Sequence, residues 1–327
     1  MKAVLVSEPG GPEKLVLADL PDPLPGLGEV AIEIHGSALN RADLLQRRGV
    51  YPPPPGTTDI LGLECAGVVS ELGSGCSDHV RVGDRVMVLL GGGGYAERVV
   101  VPEALLMKIP EALSFEQAAA IPEAFLTASE ALFGAGKLGR TESVLIHAAA
   151  GGVGSAAVQL ARAHGARVFA TAGGATKTAW VRALGADSVI DYKSQDFASL
   201  IQTETQGRGV DVIVDFIGAA YAEKHAACLA LRGRHVVVGV MGGAQASINL
   251  GRLLQRRQSL LGVVMRSRST QEKIELTRGF VRSTLPLLAD GRLKPLVDSV
   301  FPLAEVARAH QRMEDNLNLG KIILKVR

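Results

Sequence analysis

The sequence lacks several features that would assign a protein to a class at once. Its 327 residues contain only three cysteines, Cys65, Cys76 and Cys228, which lie far apart and form no CxxC spacing. This pattern argues against a disulfide framework and against a structural zinc knot. No apolar run approaches the roughly 20 residues that cross a bilayer, and no charged and then apolar leader precedes the first strand pattern. We therefore expect a cytoplasmic protein, or one of an organelle lumen, with no membrane partner.

An excess of charge of one sign is also absent. The chain has 35 Lys and Arg residues against 33 Asp and Glu residues, mixed along its length, and a formal charge of +2. Such a chain has no long positive field to hold phosphate backbones or anionic lipid. Aromatic residues make up only 4% of the chain and form no platform with basic residues that would bind RNA. We therefore expect no nucleic-acid partner.

Length and hydrophobic content predict two domains. A chain of 327 residues exceeds the usual size of one core, and 47% hydrophobic residues suffice to bury two. Up to Pro122 the pattern consists of short β runs broken by Pro and Gly, which predicts a β-rich first domain. Two helices are predicted at its end, Phe115–Ala120 and Ala124–Phe133. The β runs are Ala3–Val6, Val30–Ile34, Gly67–Ser70, Arg85–Val88 and Arg98–Val101.

From Ser143 onward, apolar strands alternate with helical segments. Near-continuous apolar runs are typical of parallel strands covered on both faces, so this part predicts a doubly wound parallel sheet and an α/β fold. The tail predicts one amphipathic helix from about Gln271 to Leu288, and a last strand at 320–326 that returns to the first domain. The six apolar runs are Ser143–His147, Arg167–Ala170, Ser188–Ile190, Val210–Val214, His235–Val238 and Leu260–Val264.

The sharpest local motif follows the first strand of this second domain. It has the form A-x-G-x-x-G, the dinucleotide fingerprint with alanine in place of the first glycine, and a helix pattern follows it. Gly151 lets the backbone approach a pyrophosphate, Gly154 lets the helix pack closely, and the helix N-terminus offers free N–H groups. The alternative is an ordinary tight turn. The predicted nucleotide contacts are Ala149, Gly151, Gly152, Val153 and Gly154.

The residues after the second strand favour NADPH over NADH. An NAD site usually has Asp or Glu about 20 residues after the glycine turn, at the end of the second strand, where the acid binds the ribose 2′-hydroxyl. This chain has Gly173 and Gly174 there, without an acid and with Lys177 close behind. A carboxylate would repel a 2′-phosphate, whereas a lysine attracts one. The alternative for Lys177 is a solvated cation in the first turn of the next helix.

Motifs along the whole chain resemble one enzyme family. Besides the glycine turn, they are Asn40–Asp43, Arg48–Tyr51, Leu61–Gly67, Asp191–Tyr192 and Gly239–Gly243. Through these motifs the chain resembles the zinc-independent quinone oxidoreductase branch of the medium-chain dehydrogenase/reductase superfamily. It is most similar to the tumour-suppressor-inducible subgroup, through Asn40–Gln46, Pro52–Pro55 and Ile121–Ala124. The resemblance implies a GroES-like catalytic domain at 1–122 and 266–327, a Rossmann NADPH-binding domain at 123–265, and commonly a homodimer.

The resemblance also implies residues that bind the cofactor. Lys177 and Tyr192, beside Gly173, would hold the adenosine 2′-phosphate. Thr127 and the glycine turn would hold the diphosphate, and Asn318 would close over the cofactor. The nicotinamide half would be lined by Gly218, Val240, Met241, Gly242, Val264, Met265 and Arg266.

The resemblance implies a site without a metal as well. The zinc alcohol dehydrogenases of the superfamily have a cysteine at the position of Asn40, a histidine at that of Leu63 and a further cysteine near Ala124. None of these ligands is present, and zinc needs at least three from the protein.

Hydride transfer without a metal needs another group near the reacting oxygen. Hydride from C4 of the nicotinamide puts negative charge on the substrate oxygen, so a positioned donor must face it. Tyr51, on a loop stiffened by four prolines, can donate a hydrogen bond and supply a proton, whereas Asn40 can only donate. The alternatives are an aromatic that covers apolar surface for Tyr51 and a partner of backbone groups at a helix start for Asn40.

The function expected from these residues is NADPH-dependent hydride transfer to a small-molecule quinone or enone. Two alternatives stay open. One is a 2-enoyl thioester reductase of the same superfamily. The other is a protein that binds NADPH without catalysis, like the lens crystallins of this branch.

Overall fold

The computed structural model describes residues 1 to 327. Backbone contacts divide the chain into two compact units. Unit 1 comprises Met1–Leu126 together with Met265–Arg327, and unit 2 comprises Thr127–Val264. The predicted domain boundaries, at 122/123 and 265/266, lie close to these limits.

Fifteen strands and eleven α-helices make up the two units. The strands are β1 Lys2–Val6, β2 Leu15–Asp19, β3 Glu29–Ala38, β4 Glu64–Leu72, β5 Arg85–Leu89, β6 Arg98–Pro102, β7 Met107–Lys108, β8 Ser143–Ile146, β9 Arg167–Ala172, β10 Ser188–Asp191, β11 Val210–Asp215, β12 Leu229–Val237, β13 Ser259–Gly262, β14 Val297–Pro302 and β15 Lys321–Lys325. The helices are α1 Arg41–Arg47, α2 Phe115–Ala119, α3 Pro122–Ser129, α4 Gly152–His164, α5 Ala175–Ala183, α6 Phe197–Glu204, α7 Ala222–Cys228, α8 Leu250–Arg256, α9 Thr270–Ser283, α10 Leu285–Ala289 and α11 Val306–Glu314. None of them combines the length and the apolar character that a span across a membrane requires.

Unit 1 is built on a mostly antiparallel sheet, in agreement with the β-rich first domain that the sequence predicts. The strand order is β14-β15-β3-β4-β5-β7, β6 pairs with β3, and β1 and β2 form a separate pair. Val30, Ile32 and Ile34 of β3 are buried in a core that also contains Val69 of β4 and Val86 of β5. Because successive strand residues point to opposite faces, these alternate positions share one face of the sheet.

The last strand joins the sheet of unit 1, as predicted. β15 pairs antiparallel with β3 and parallel with β14. The buried ammonium of Lys321 lies 2.7 Å from Oε1 of Glu64 and donates to Oδ1 of Asn40 and to the Leu39 carbonyl oxygen, each also at 2.7 Å. Since Glu64 begins β4, this buried cation ties the C-terminal strand to the middle of the sheet.

Unit 2 contains a parallel sheet of six strands, in the order β10-β9-β8-β11-β12-β13. Every residue of β8 and β11 is buried, as the near-continuous apolar runs predict for strands covered on both faces. The chain proceeds from β8 to one side of the sheet and returns beside β8 with β11. This reversal is the mark of a doubly wound fold, and ligands of such folds bind at the carboxyl ends of the strands beside it.

The tail departs from its predicted structure in one respect. The pattern from Gln271 to Leu288 predicts a single amphipathic helix, and this prediction is wrong, because α9 ends at Ser283 and α10 begins at Leu285. Pro286 has no N–H to donate to the carbonyl group four residues earlier, so an uninterrupted helix loses a hydrogen bond there.

We expect Lys321→Met to lower the free energy of unfolding by about 3–5 kcal/mol, because it leaves the buried Glu64 carboxylate without its cation. Lys325→Met on the same strand is the matched control, since the Lys325 ammonium is largely exposed and lies 4.0 Å from Glu116. Its loss should cost at most about 1 kcal/mol. Chemical denaturation followed by circular dichroism measures both variants. Equal destabilisation by the two substitutions would contradict the role given to the buried pair.

Candidate cofactor site and active site

The predicted cofactor residues of unit 2 lie almost entirely beyond the carboxyl ends of its strands. Because the six strands are parallel, these ends form one edge of the sheet. The structure therefore collects at one edge residues that are far apart in the sequence. They are Ala149, Gly151, Gly152, Val153 and Gly154 after β8, Gly173 and Lys177 after β9, Tyr192 after β10, Gly218 after β11, Val240, Met241 and Gly242 after β12, and Val264 after β13.

The glycine turn has the geometry that its sequence predicts. β8 leads into it, and α4 begins at Gly152 with Gly151 as its N-cap. A Cβ on Gly154 would lie 2.4 Å from the Ala148 carbonyl oxygen, so a side chain there would prevent this close packing. A Cβ on Gly151 would meet no neighbour closer than 3.3 Å. The N–H groups in the first turn of a helix have no helical acceptor, so those of α4 are suited to an anion.

Two lysines follow the ends of β9 and β10. Lys177 lies in the first turn of α5, and Tyr192 and Lys193 directly follow β10. A Cβ on Gly173 would lie 2.8 Å from Oη of Tyr192 and 3.1 Å from Cε of Lys193, so both side chains reach this glycine. Lys193 is not among the residues predicted from the sequence, although its place directly after Tyr192 is a signal for it.

An acid lies beside these two lysines. Asp191 ends β10, and its carboxylate accepts the backbone N–H of Gly174 at 2.9 Å and that of Lys193 at 3.0 Å. These hydrogen bonds hold the pKa of the Asp191 carboxyl below its usual value. The backbone amides thus offset part of its negative charge, which would otherwise oppose a phosphate here.

Two turns that carry predicted nicotinamide contacts are joined to each other. Gly242 donates its N–H to the carbonyl oxygen of Ile217 at 2.7 Å. A Cβ on Gly218 would lie 3.2 Å from the Cα of Val240, so glycine permits this close approach of the two turns. The side chain of Met241 is about half exposed.

The other predicted cofactor residues are divided between the units. Thr127 is buried in α3, at the start of unit 2. In unit 1, Met265 is buried, and Asn318 donates through Nδ2 to the Gly320 carbonyl oxygen at 2.9 Å. The amide of Asn318 thus supports the turn that precedes β15, and its role towards a cofactor stays a prediction.

Tyr51 packs against Arg266 within unit 1. The buried Arg266 guanidinium lies over the ring, with its Cζ 5.3 Å from the ring centroid. It donates to the carbonyl oxygens of Gly91 at 2.8 Å and Tyr51 at 3.4 Å and to Oε1 of Gln46 at 2.6 Å. Burial raises the pKa of the Tyr51 phenol, although the Arg266 charge opposes this shift. The phenol is therefore protonated at neutral pH and can donate.

Asn40 belongs to the buried network around Lys321. Its Oδ1 accepts from Lys321, and its Nδ2 donates to Oε1 of Glu64 at 2.9 Å and to the Ala38 carbonyl oxygen at 3.3 Å. Its backbone N–H donates to Oδ2 of Asp43 at 2.7 Å, at the start of α1. Every polar group of the Asn40 amide thus has a protein partner. These contacts favour the structural alternative for Asn40, and its catalytic role stays a prediction.

Family models match both halves of the chain. The family described as alcohol dehydrogenase GroES-like domain matches residues 26–111. The family described as zinc-binding dehydrogenase matches residues 152–278.

Curated relatives match nearly the whole chain. The human synaptic vesicle membrane protein VAT-1 homolog is 36% identical over 346 residues, which cover 99% of this chain and 86% of the relative. Human quinone oxidoreductase is 34% identical over 327 residues, which cover 99% of this chain and 97% of the relative.

Solved structures share the fold. An NAD-dependent alcohol dehydrogenase has a TM-score of 0.89 and 36% identity, with full coverage of both chains. Mycobacterial Rv1454c complexed with NADPH has a TM-score of 0.89 and 31% identity, also with full coverage of both. JamJ enoyl reductase has a TM-score of 0.90 and 27% identity, with 100% of this chain and 99% of that chain covered. The chain therefore belongs to the medium-chain dehydrogenase/reductase superfamily of oxidoreductases, with a GroES-like domain and a Rossmann-like parallel sheet.

Proposed function

We propose that this oxidoreductase transfers hydride from NADPH to a quinone, or to a conjugated enone, without a metal at the reacting centre. The observation that carries the proposal is the set of predicted cofactor residues that follow the strands at one edge of the parallel sheet. The 34% identity to human quinone oxidoreductase over nearly its whole length supports the substrate class.

The residues at this edge fit a phosphorylated dinucleotide. The first-turn amides of α4 suit a diphosphate, and the space beside Gly151 lets the phosphates approach the backbone. Lys177 and Lys193 offer positive charge where an NAD site usually has an acid. When bound, the nicotinamide supplies the hydride from its C4 atom.

Tyr51 is the proposed donor to the substrate oxygen. Negative charge develops on that oxygen as hydride arrives, and a protonated phenol stabilises it by a hydrogen bond and can pass a proton to it. Arg266 is proposed as a positioning residue, because its guanidinium packs on the ring and its three hydrogen bonds fix it to the loops around Tyr51.

The absence of a catalytic metal is proposed from the chemistry of three positions. Leu63 and Ala124 are buried and have no ligand atoms. The Oδ1 atom of Asn40 already accepts from the Lys321 ammonium at 2.7 Å, and this buried positive charge would repel a metal cation there.

A second copy of the chain is the proposed protein partner. β13 is the edge strand of the parallel sheet, so one side of its backbone is free to pair with another strand. Leu250, Leu254 and Leu260, in and beside this region, are exposed apolar side chains that a twofold dimer would cover.

An enoyl thioester reductase is the second candidate, because an enoyl reductase matches this chain over its full length with 27% identity. A turnover assay distinguishes the candidates. It follows NADPH oxidation by the purified protein with naphthoquinone, phenanthrenequinone and simple enones as substrates. We expect NADPH oxidation, at a rate that a metal chelator does not lower. Saturating turnover on acyl thioesters alone would favour the second candidate. Binding of NADPH by calorimetry without turnover on any substrate would indicate a binding protein instead.

We expect Lys177→Ala to raise the KM for NADPH by about 10- to 100-fold, because a hydrogen bond to a charged group contributes roughly 1.5–3 kcal/mol. The KM for NADH should change little, since NADH has no 2′-phosphate. Lys193→Ala is the comparison. If it raises the KM for NADPH less than Lys177→Ala does, Lys177 is the main contact of the 2′-phosphate. Equal changes of both KM values in Lys177→Ala would contradict the proposed phosphate contact.

We expect alanine substitutions at the two glycines of the turn to have different effects. Gly154→Ala should destabilise the protein by about 1–3 kcal/mol, because its Cβ meets backbone. Gly151→Ala should keep the melting temperature close to that of the wild type but weaken NADPH binding at least about tenfold, since its Cβ occupies space that the phosphates need. Thermal melts and calorimetry measure these effects, and wild-type affinity in Gly151→Ala would contradict the assignment.

We expect Tyr51→Phe to lower kcat by about 100-fold while the KM for NADPH stays close to its wild-type value, because the loss of one donor to a developing oxyanion has roughly this effect. Tyr221→Phe is the control, as it removes the hydroxyl group of a half-buried tyrosine in unit 2. Steady-state kinetics with one quinone suffices. An unchanged kcat in Tyr51→Phe would reject the phenol as the donor.

A further inference from the structure

Unit 2 contains a cluster of metal-ligand side chains outside the predicted cofactor set. Asp215 ends β11, His225 lies in α7 and His235 lies in β12. One potential ligand atom from each lies within 4.8 Å of the other two. Oδ2 of Asp215 is 2.9 Å from Nε2 of His235 and 3.4 Å from Nδ1 of His225. Two imidazoles and a carboxylate are a common ligand set for Zn²⁺ and other divalent first-row metals.

The hydrogen bonds of this cluster leave one buried atom without a partner. Nε2 of His225 lies 2.9 Å from Nε2 of His147, whose Nδ1 lies 2.9 Å from Oγ1 of Thr171. Nδ1 of His225 is buried and has no hydrogen-bond partner, although it faces the Asp215 carboxylate. If Nε2 of His225 carries the ring proton, Nδ1 presents a lone pair to a carboxylate oxygen. A cation between the two acceptors removes this conflict.

The surroundings already supply the outer contacts that metal ligands usually have. The hydrogen bond to His147 would fix the tautomer and orientation of a His225 ring that binds metal through Nδ1. Oδ1 of Asp215 accepts the backbone N–H groups of Ile217 at 2.7 Å and Gly218 at 3.0 Å. Oδ2 lies 3.2 Å from the Gly218 nitrogen and faces the two histidines. Zinc bonds of about 2.0–2.2 Å require ligand atoms only roughly 3–4 Å apart. Small side-chain rotations therefore suffice to close the site.

The cluster is accessible from solvent. A cavity of about 710 Å³ in unit 2 is lined by Asp215 and His235, so a fourth ligand such as water can enter.

We propose that Asp215, His225 and His235 form a binding site for one divalent transition-metal ion, with Zn²⁺ as the ion that tests it. The site lies in unit 2 and is separate from the proposed donor Tyr51 of unit 1. Its function is to stabilise unit 2 and to present an open coordination position to the cavity. The proposal does not depend on which substrate the oxidoreductase reduces.

Calorimetry with Zn²⁺ on chelator-treated protein without an affinity tag tests the site. We expect one ion per chain, a higher melting temperature with Zn²⁺, and a visible d–d spectrum with Co²⁺ typical of nitrogen and oxygen ligands. His235→Gln should weaken binding by more than about 100-fold and abolish the Co²⁺ spectrum, because a direct ligand matters more than an outer contact, whose loss costs about 10- to 100-fold. His147→Gln should weaken binding by about tenfold.

His79→Gln is the matched control, because His79 is exposed in unit 1 and outside the cluster. It should bind Zn²⁺ as the wild type does. The proposal is overturned if the wild type binds no Zn²⁺, or if His235→Gln, shown to be folded by circular dichroism, binds it with wild-type affinity. In either case the cluster is a hydrogen-bonded chain in which His225 donates towards Asp215. NADPH binding and quinone reduction are measured separately, so that a failure of the metal site is distinguished from a failure of the proposed function.

Discussion

Burial of the central strands of the parallel sheet on both faces constrains where unit 2 can bind a ligand. The central strands β8 and β11 have no exposed residue, because their side chains pack into the layers on either side of the sheet. Ligands of such folds bind at the carboxyl ends of the strands, where the backbone turns away from the sheet. The glycine turn, the lysines after β9 and β10, and the paired turns after β11 and β12 all lie at such positions. The sheet thus collects them at one edge.

Unit 1 illustrates a different constraint, which comes from buried charge. Lys321 is taken out of water to hold the last strand, and it requires Glu64 and Asn40 as partners. Asn40 is used in this way, because its Oδ1 atom accepts a hydrogen bond from the Lys321 ammonium. Tyr51, the proposed donor, is held by Arg266 through its ring face and its neighbouring backbone. The same contacts therefore stabilise unit 1 and leave the phenol as the candidate donor.

Where the structure departs from the sequence-based predictions, the departure has a specific physical cause. The break between α9 and α10 was missed because the apolar period continues through Pro286, while the missing N–H interrupts the helix. The packing of Arg266 on Tyr51 was missed because 215 positions separate the two residues. The seven histidines show no metal-binding spacing, yet three of them, His147, His225 and His235, are collected with Asp215 by neighbouring strands and one helix.

The sequence by itself determined the two-part architecture, the parallel sheet, the glycine turn and the superfamily. Each of these depends on residues that are close together in the sequence: apolar runs, the spacing of glycines, and short motifs that fix the local backbone conformation. Only the tertiary structure decided which of Asn40's hydrogen-bonding groups are occupied, which cation packs on Tyr51, and which histidines meet Asp215. These outcomes depend on distances between segments that are remote in the chain, and strand pairing and burial set those distances.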